Sequence, residues 1–250
     1  MSVFILRKGM VAWCTVSAVV LCGIMFAGSS ENVFKSGNRN LPIYSVERED
    51  DKIALTFNCA WGNEDINTIL EALEKYDAKA TFFIVGEWAE KYPDSVSVIK
   101  NAGHELGGHS YDHKDYAKLT KEQVGEDAKK TFDAVKKACG AEIKLMRAPS
   151  GSYNNSCIEA LEENSFIPVQ WSVDTIDYGG ASCDSIFQKA TEKTKAGDII
   201  LMHTGTDNTS LALPRILDSL GAKYRFCTVS ELFVDGDFYV DNAGKMIKKS

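Results

Sequence analysis

Three of the chain's four histidines stand at or just beyond the ends of short apolar runs, and other chemistry-bearing residues collect at the same kind of position. Asn58 and Cys59 close one run, His109 and His113 follow another, Arg147 closes a third, Asp174 and Asp177 follow a fourth, and His203 closes a fifth. His109 and His113 have the i, i+4 spacing that sets two imidazoles on one face of a helical turn, where they can share a ligand. Two histidines with one carboxylate or thiolate leave an open position for water, the arrangement of a hydrolytic metal centre. Cys59 offers a thiolate for the third place, and a buried, packed thiol is the competing account of it. For Arg147 and Asp177 the alternative to chemistry is an ion pair joining two loops.

These residues need a scaffold that brings run ends together. From Lys52 onward, short apolar runs alternate with longer amphipathic ones, the pattern of β-α units and a largely parallel sheet. Strands are expected at 53–59, 80–85, 104–108, 143–148, 167–173, 198–203 and 224–229. Ile66, Ile69, Leu70 and Leu73 recur at helical spacing, as do Val124, Ala128, Phe132, Val135 and Cys139, and both sets read as core-facing stripes. Thr120 and Gln123 supply a capping box for the second stripe. In such architectures the site forms at the carboxyl ends of the strands, where the chemistry-bearing residues lie. The pattern predicts a barrel-like α/β domain over 48–235, followed at 236–250 by a small hairpin that turns at 241–244.

The chain's 250 residues, 44% hydrophobic and 25% charged, allow one sizeable core plus appendages. A formal net charge of −7 without a basic patch argues against nucleic acid as a partner. Arg7 and Lys8 precede an uncharged, mostly apolar run over 9–28. About 20 such residues cover a hydrocarbon core of roughly 30 Å. The basic flank places the N-terminus inside, so one transmembrane helix would anchor an extracytoplasmic domain to the cell membrane. A cleaved signal peptide is the alternative, since Ala27, Gly28, Ser29 and Ser30 are small, and it would make the protein secreted. Residues 29–47 are polar and aperiodic and read as a stalk. The five cysteines beyond the apolar segment show no paired spacing that would indicate a zinc ribbon or a disulfide framework.

The chemistry-bearing segments, taken in order, resemble the polysaccharide deacetylases of the NodB homology type, and more closely their sporulation-associated subgroup. The resemblance covers about residues 50–233 and is carried by residues 55–62, 81–83 and 103–107, by His109-Ser110-x-x-His113, by residues 147–153, by Asp174-x-x-Asp177-Tyr178, and by Leu201-Met202-His203. It implies a distorted (β/α) barrel that hydrolyses N-acetyl groups on a cell-envelope glycan, peptidoglycan or another N-acetylglucosamine polymer. It further implies that His109 and His113 bind a divalent metal, zinc; that backbone near Tyr153 stabilises the oxyanion; that His203 protonates the leaving amine while Asp177 holds its ring; and that Arg147 pairs with the carboxylate base, whereas at the position of Cys59 the resembling subgroup often has a small or apolar residue, which favours the packed thiol. Trp61, Tyr153, Tyr178 and Leu201 are the expected substrate-side residues.

The chain departs from that pattern at the first motif. Where the family commonly has two adjacent aspartates, one the base and one a metal ligand, this sequence has Asn58 and Cys59. An amide is no general base at neutral pH and carries no charge to pair with Arg147. Glu64, Asp65 and Asp112 are the nearby carboxylates that could replace it. The alternative function is a catalytically silent glycan-binding or envelope-assembly protein that keeps the fold and the groove.

Overall fold

The computed structural model describes residues 40–249. The expected membrane segment, and the stalk as far as residue 39, lie outside the described residues; among the described residues no helix is long and apolar enough to cross a membrane.

The fold is organised by β2 (Lys52–Cys59), in which every residue from Ile53 to Cys59 is buried. A strand covered on both faces belongs in a parallel sheet with helices outside it. Ile53, Leu55, Phe57 and Cys59 point to the helical layer, joining one core cluster with Ile66, Ile69 and Leu73 of α1 (Ile66–Lys75). Ala54 belongs to a second, inner cluster, and Thr56 and Asn58 follow it at the two-residue period of a strand. Each fully buried Leu, Ile or Phe contributes about 1.5–3 kcal/mol, so this alternation resists a slip of one residue, which would exchange the two faces.

Around β2 run β3 (Ala80–Ile84), β4 (Glu105–Gly108), β5 (Leu145–Met146) and β6 (Ile167–Pro168) on one side, and β8 (Ile199–His203) and β7 (Val173–Asp174) on the other. β9 (Arg225–Cys227) pairs with the start of β2. All these pairings are parallel. Among the described residues no pairing joins β6 to β7, so the sheet is an open, curled half-barrel rather than a closed barrel. Its outer helices include α2 (Gly86–Lys91), α3 (Pro93–Asn101) and α4 (Lys121–Cys139). The series continues with α5 (Asn155–Glu163), α6 (Cys183–Thr191), α7 (Thr209–Gly221) and α8 (Val229–Leu232). The Thr120 and Gln123 capping box opens α4, as the sequence predicts.

Three expectations change. The run 167–173 holds two short strands with a break between them, and 224–229 gives a three-residue strand that passes into α8, whose start Thr228 and Glu231 cap reciprocally. The expected stalk does not extend to residue 47: Ile43 and Val46 are buried, and β1 (Ser45–Val46) pairs with β11 (Lys245–Lys248). β11 in turn pairs antiparallel with β10 (Phe238–Val240), so the terminal hairpin is one part of a three-stranded sheet. Asp241 tightens its turn by accepting from the N–H groups of Ala243 and Lys245. Gly244 has φ +78°, and a Cβ there would meet the Tyr44 ring at 2.4 Å, so the turn and the N-terminal strand require glycine together.

His104, buried at the foot of β4, accepts the Ala80 N–H at Nδ1 and packs on Phe82. Burial, with Lys79 nearby, pushes its pKa down from 6.5 to about 4. The unfolded chain therefore takes up a proton first, and the stability that neutral His104 provides is present above about pH 6.5 and lost as the pH falls towards 4. His104→Asn keeps an acceptor at the Nδ1 position and does not titrate. Thermal melts from neutrality down to about pH 4 should show a shallower loss of Tm in the variant than in the wild type, and parallel curves would remove His104 from the acid response.

Candidate active site

The carboxyl ends of β2, β4, β5, β7 and β8 bring the predicted residues to one end of the half-barrel. Asn58 and His203 are register partners on neighbouring strands. Behind them Arg147, fully buried, extends from the end of β5 and stacks 3.8 Å from the Phe83 ring centroid. Its Nη1 donates to Asn58 Oδ1 and to Thr56 Oγ1, both at 3.0 Å, and its Nη2 donates to the Gln170 carbonyl at 3.1 Å. Among the described residues Nε has no hydrogen-bond partner, and burial pushes the guanidinium well below its ordinary pKa, against the pull of Asp174.

This arrangement fixes the proton on His203. Arginine only donates, so the Asn58 oxygen must face Arg147 and its amide nitrogen must face His203 Nε2, 3.3 Å away. Asp177 lies 2.7 Å from His203 Nδ1, accepts the His203 backbone N–H at 2.7 Å, and receives the Thr209 hydroxyl at 2.6 Å. A carboxylate accepts, so Nδ1 carries the hydrogen and Nε2 presents its lone pair to Asn58. An unbroken hydrogen-bonded chain thus runs from Arg147 through Asn58 and His203 to Asp177, with Nδ1 facing the carboxylate and Nε2 the amide nitrogen.

His109 and His113 sit with ring centroids 5.0 Å apart and planes at 80°. The spacing does not form the helical turn expected of it: the segment is a loop in which Ser110 and His113 take left-handed φ values of 63° and 59°. His109 Nδ1–H donates to the Arg147 carbonyl at 2.9 Å, which leaves Nε2 free. Burial lowers the pKa of both imidazoles, that of His109 furthest, and the proximity of His203 adds to it in each. Both are therefore neutral donors, and the carbonyl behind His109 is the partner that metal-bound histidines commonly have.

This pair fits a divalent cation as two of its ligands. Among the described residues no third His, Cys, Asp or Glu joins it. Cys59 does not, because it follows Asn58 on β2 and so faces the helical layer; burial raises its thiol pKa, and its neighbour there is Thr204. Of the other nearby carboxylates, Asp112 and Asp65 each use one oxygen, while Asp112 Oδ1 and Asp65 Oδ2 are buried without a hydrogen bond among the described residues. Asp112 pairs with Lys114, Asp65 accepts the Gly205 N–H at 2.9 Å, and Glu64 lies against Gly62.

Trp61 and Tyr178, both about half exposed, pack their rings 5.2 and 5.3 Å from that of His203. Gly205, at φ +69°, lets the loop after His203 touch the loop carrying Trp61, since a Cβ would meet the Gly62 nitrogen at 2.5 Å. Tyr153 shares a hydrogen bond with Tyr44 of the N-terminal segment at 2.9 Å, and Leu201 is buried within β8. Sequence reasoning misses Thr56, Gln170 and Thr209, which hold Arg147 and Asp177. Gln170 acts through its backbone carbonyl, which no residue type signals, and Thr209 leaves no signal either. It also misses the left-handed backbone at Ser150 and Ile176, φ 55° and 52°, conformations that cost ~1–3 kcal/mol and cluster at working sites.

The family profile described as "Polysaccharide deacetylase" matches residues 45–168. The chain is 35% identical over 192 residues to the uncharacterized protein YlxY of Bacillus subtilis, covering 76% of this chain and 60% of that protein. It is likewise 35% identical to a peptidoglycan-N-acetylglucosamine deacetylase of Bacillus cereus, over 73% of this chain and 68% of that enzyme. Among solved structures it resembles wild-type BA3943, described as a CE4 family pseudoenzyme from Bacillus anthracis, with a TM-score of 0.74 and 32% identity over 76% of this chain and 68% of that one.

Replacing Asn58 by Asp would give buried Arg147 an anionic acceptor, and a hydrogen bond to a charged group contributes roughly 2 kcal/mol. Arg147 would hold the new carboxyl below the ordinary aspartate pKa, so the gain should be present at neutral pH and vanish as the pH falls below about 4. Denaturation of Asn58→Asp against wild type at both pH values checks this. An unchanged stability at neutral pH would mean that the neutral acceptors already satisfy Arg147.

Proposed function

We propose, for a chain that belongs to the polysaccharide deacetylase family, that this site hydrolyses N-acetyl groups on a cell-envelope glycan of the peptidoglycan type. The observation that carries the reading is the His203 and Asp177 dyad, set between two exposed aromatic rings and beside a pair of neutral imidazoles. Trp61 and Tyr178 would hold a sugar ring by stacking. His203 Nε2, already an acceptor, would take the proton of the attacking water and return it to the leaving amine, while Asp177 stabilises the imidazolium between the two steps. His203 therefore serves first as base and then as the acid that the family pattern assigns to it. Backbone N–H groups of the turn leading to Tyr153 would face the developing oxyanion, and Leu201 would back the acetyl methyl from the strand wall. A divalent metal on His109 and His113, for which we favour zinc, supplies polarisation of the acetyl carbonyl and a more acidic water when bound.

The peptidoglycan-type substrate is supported by the Bacillus cereus relative, and the apolar run at 9–28 supports an extracytoplasmic domain held by a membrane anchor. Resemblance to the sporulation-associated subgroup points to the same cell envelope.

A second reading follows from Asn58, which fills the base position with an amide bonded on both sides. The protein would then bind the glycan without cleaving it. The similarity to a described pseudoenzyme favours this, and a mutant of that same protein is described as having restored enzymatic activity.

Acetate release from N-acetylated oligosaccharides separates the two. The soluble fragment from residue 31, assayed with zinc or cobalt, should release acetate. Asn58→Asp should raise the rate by ~10²–10⁴-fold, the usual contribution of a general base, and Asp177→Asn should abolish it. Glycan binding without acetate release across several metals would establish the silent reading.

A further inference from the structure

The loop that presents His109 and His113 is held from outside the site by one buried carboxylate. Asp127 lies on α4, 6% exposed, and a single oxygen, Oδ1, accepts two hydrogen bonds from that loop: the Tyr111 N–H at 3.0 Å and the Tyr116 hydroxyl at 2.7 Å. Tyr116 is fully buried, and Ser110 lies beside its hydroxyl while accepting the Lys114 N–H at 3.0 Å. The contacts therefore grip the loop on both sides of His113. They also fall next to its two left-handed, non-glycine residues, Ser110 and His113, which relax unless something over-determines them.

The carboxylate is itself on a rigid mount. Val124, Ala128 and Val135 of α4 are fully buried, and Thr131 returns its hydroxyl to the Asp127 carbonyl at 2.8 Å. Among the described residues, the side-chain hydrogen bonds that Asp127 accepts come from this loop alone, from the Tyr111 N–H and the Tyr116 hydroxyl rather than from either imidazole.

We infer that Asp127 is a positioning residue for the imidazole pair. It fixes the loop backbone so that His113 is carried, in a conformation it would not otherwise keep, to within ring contact of His109. The inference rests on reading His109 and His113 as a ligand pair for a divalent metal, and its test separates the two ideas.

Asp127→Ala removes both hydrogen bonds; Asp127→Asn keeps an oxygen where both donors point and serves as the conservative rescue. Cobalt(II) is the probe, titrated into the full chain and followed by its d–d absorption, alongside hydrogen exchange of the loop amides. In Asp127→Ala the cobalt affinity should fall by ~10–100-fold, as for loss of an outer-shell partner. The Tyr111 and Lys114 amides should lose protection while those of β3 and α4 keep theirs, and Asp127→Asn should restore most of both. Tyr116→Phe removes one of the two bonds and should shift the same readouts in the same direction by less, which keeps the test open if Asp127→Ala fails to fold. A variant that melts earlier but binds cobalt and protects Tyr111 and Lys114 as the wild type does would overturn the inference. If the wild type takes up no cobalt, the ligand reading falls, and exchange at Tyr111 and Lys114 still decides whether Asp127 holds the loop.

Discussion

A buried cation that meets a neutral partner is the constraint from which the rest of the site follows. Arg147 is the largest fully buried side chain described, and its donors meet a hydroxyl, an amide oxygen and a carbonyl. Asp174 contributes charge from a distance without a hydrogen bond. Taking a guanidinium out of water without a counter-ion is costly, and the fold offsets that cost by stacking it on Phe83 and by enclosing it between strands. Because arginine can only donate, it decides which way Asn58 points. Asn58 then decides which nitrogen of His203 bears the hydrogen, and Asp177 completes the same decision from the other side.

Strand alternation explains how much of this the sequence reveals. Residues that end apolar runs come together because parallel strands start and finish in register, which is why Asn58, Arg147, Asp177 and His203 are legible as a group in the sequence. The same period of two separates neighbours that the sequence presents as a pair. Asn58 faces the interior and Cys59 the helical layer, so the thiol that looks chemically able to complete a metal site is carried to the other side of the sheet. A reading by residue type alone treats both positions as lost carboxylates of one site; the pleat makes them members of different layers.

What the sequence does not reveal is mostly backbone. The His109 and His113 spacing suits a helical turn, yet the chain reaches the same ring proximity through a loop with two left-handed residues, and no residue type at Ser110 or His113 signals it. The N-terminal segment is similar: its buried residues, Pro42, Ile43 and Val46, follow no strand or helix period, and its strand is completed by β11 from the far end of the chain. Short strands made by long-range pairing carry little local pattern, whereas α4, with its reciprocal cap and long apolar stripe, is fully readable.

Exchanging the base for an amide is therefore more than the loss of one proton acceptor. An aspartate at position 58 would accept from Arg147 and from His203 alike, which favours a proton on His203 Nε2 and an imidazolium flanked by two carboxylates. The amide accepts from Arg147 but donates to His203, and so reverses the polarity of that one hydrogen bond. One oxygen-to-nitrogen exchange thus turns Nε2 from a hydrogen-bond donor into an acceptor. The distinction between a working hydrolase with a single versatile histidine and a binding protein with an arrested one lies in whether substrate and water displace Asn58 from Nε2. That contact, at 3.3 Å, is the longest link of the chain from Arg147 to Asp177, and so the one with least to lose when it opens.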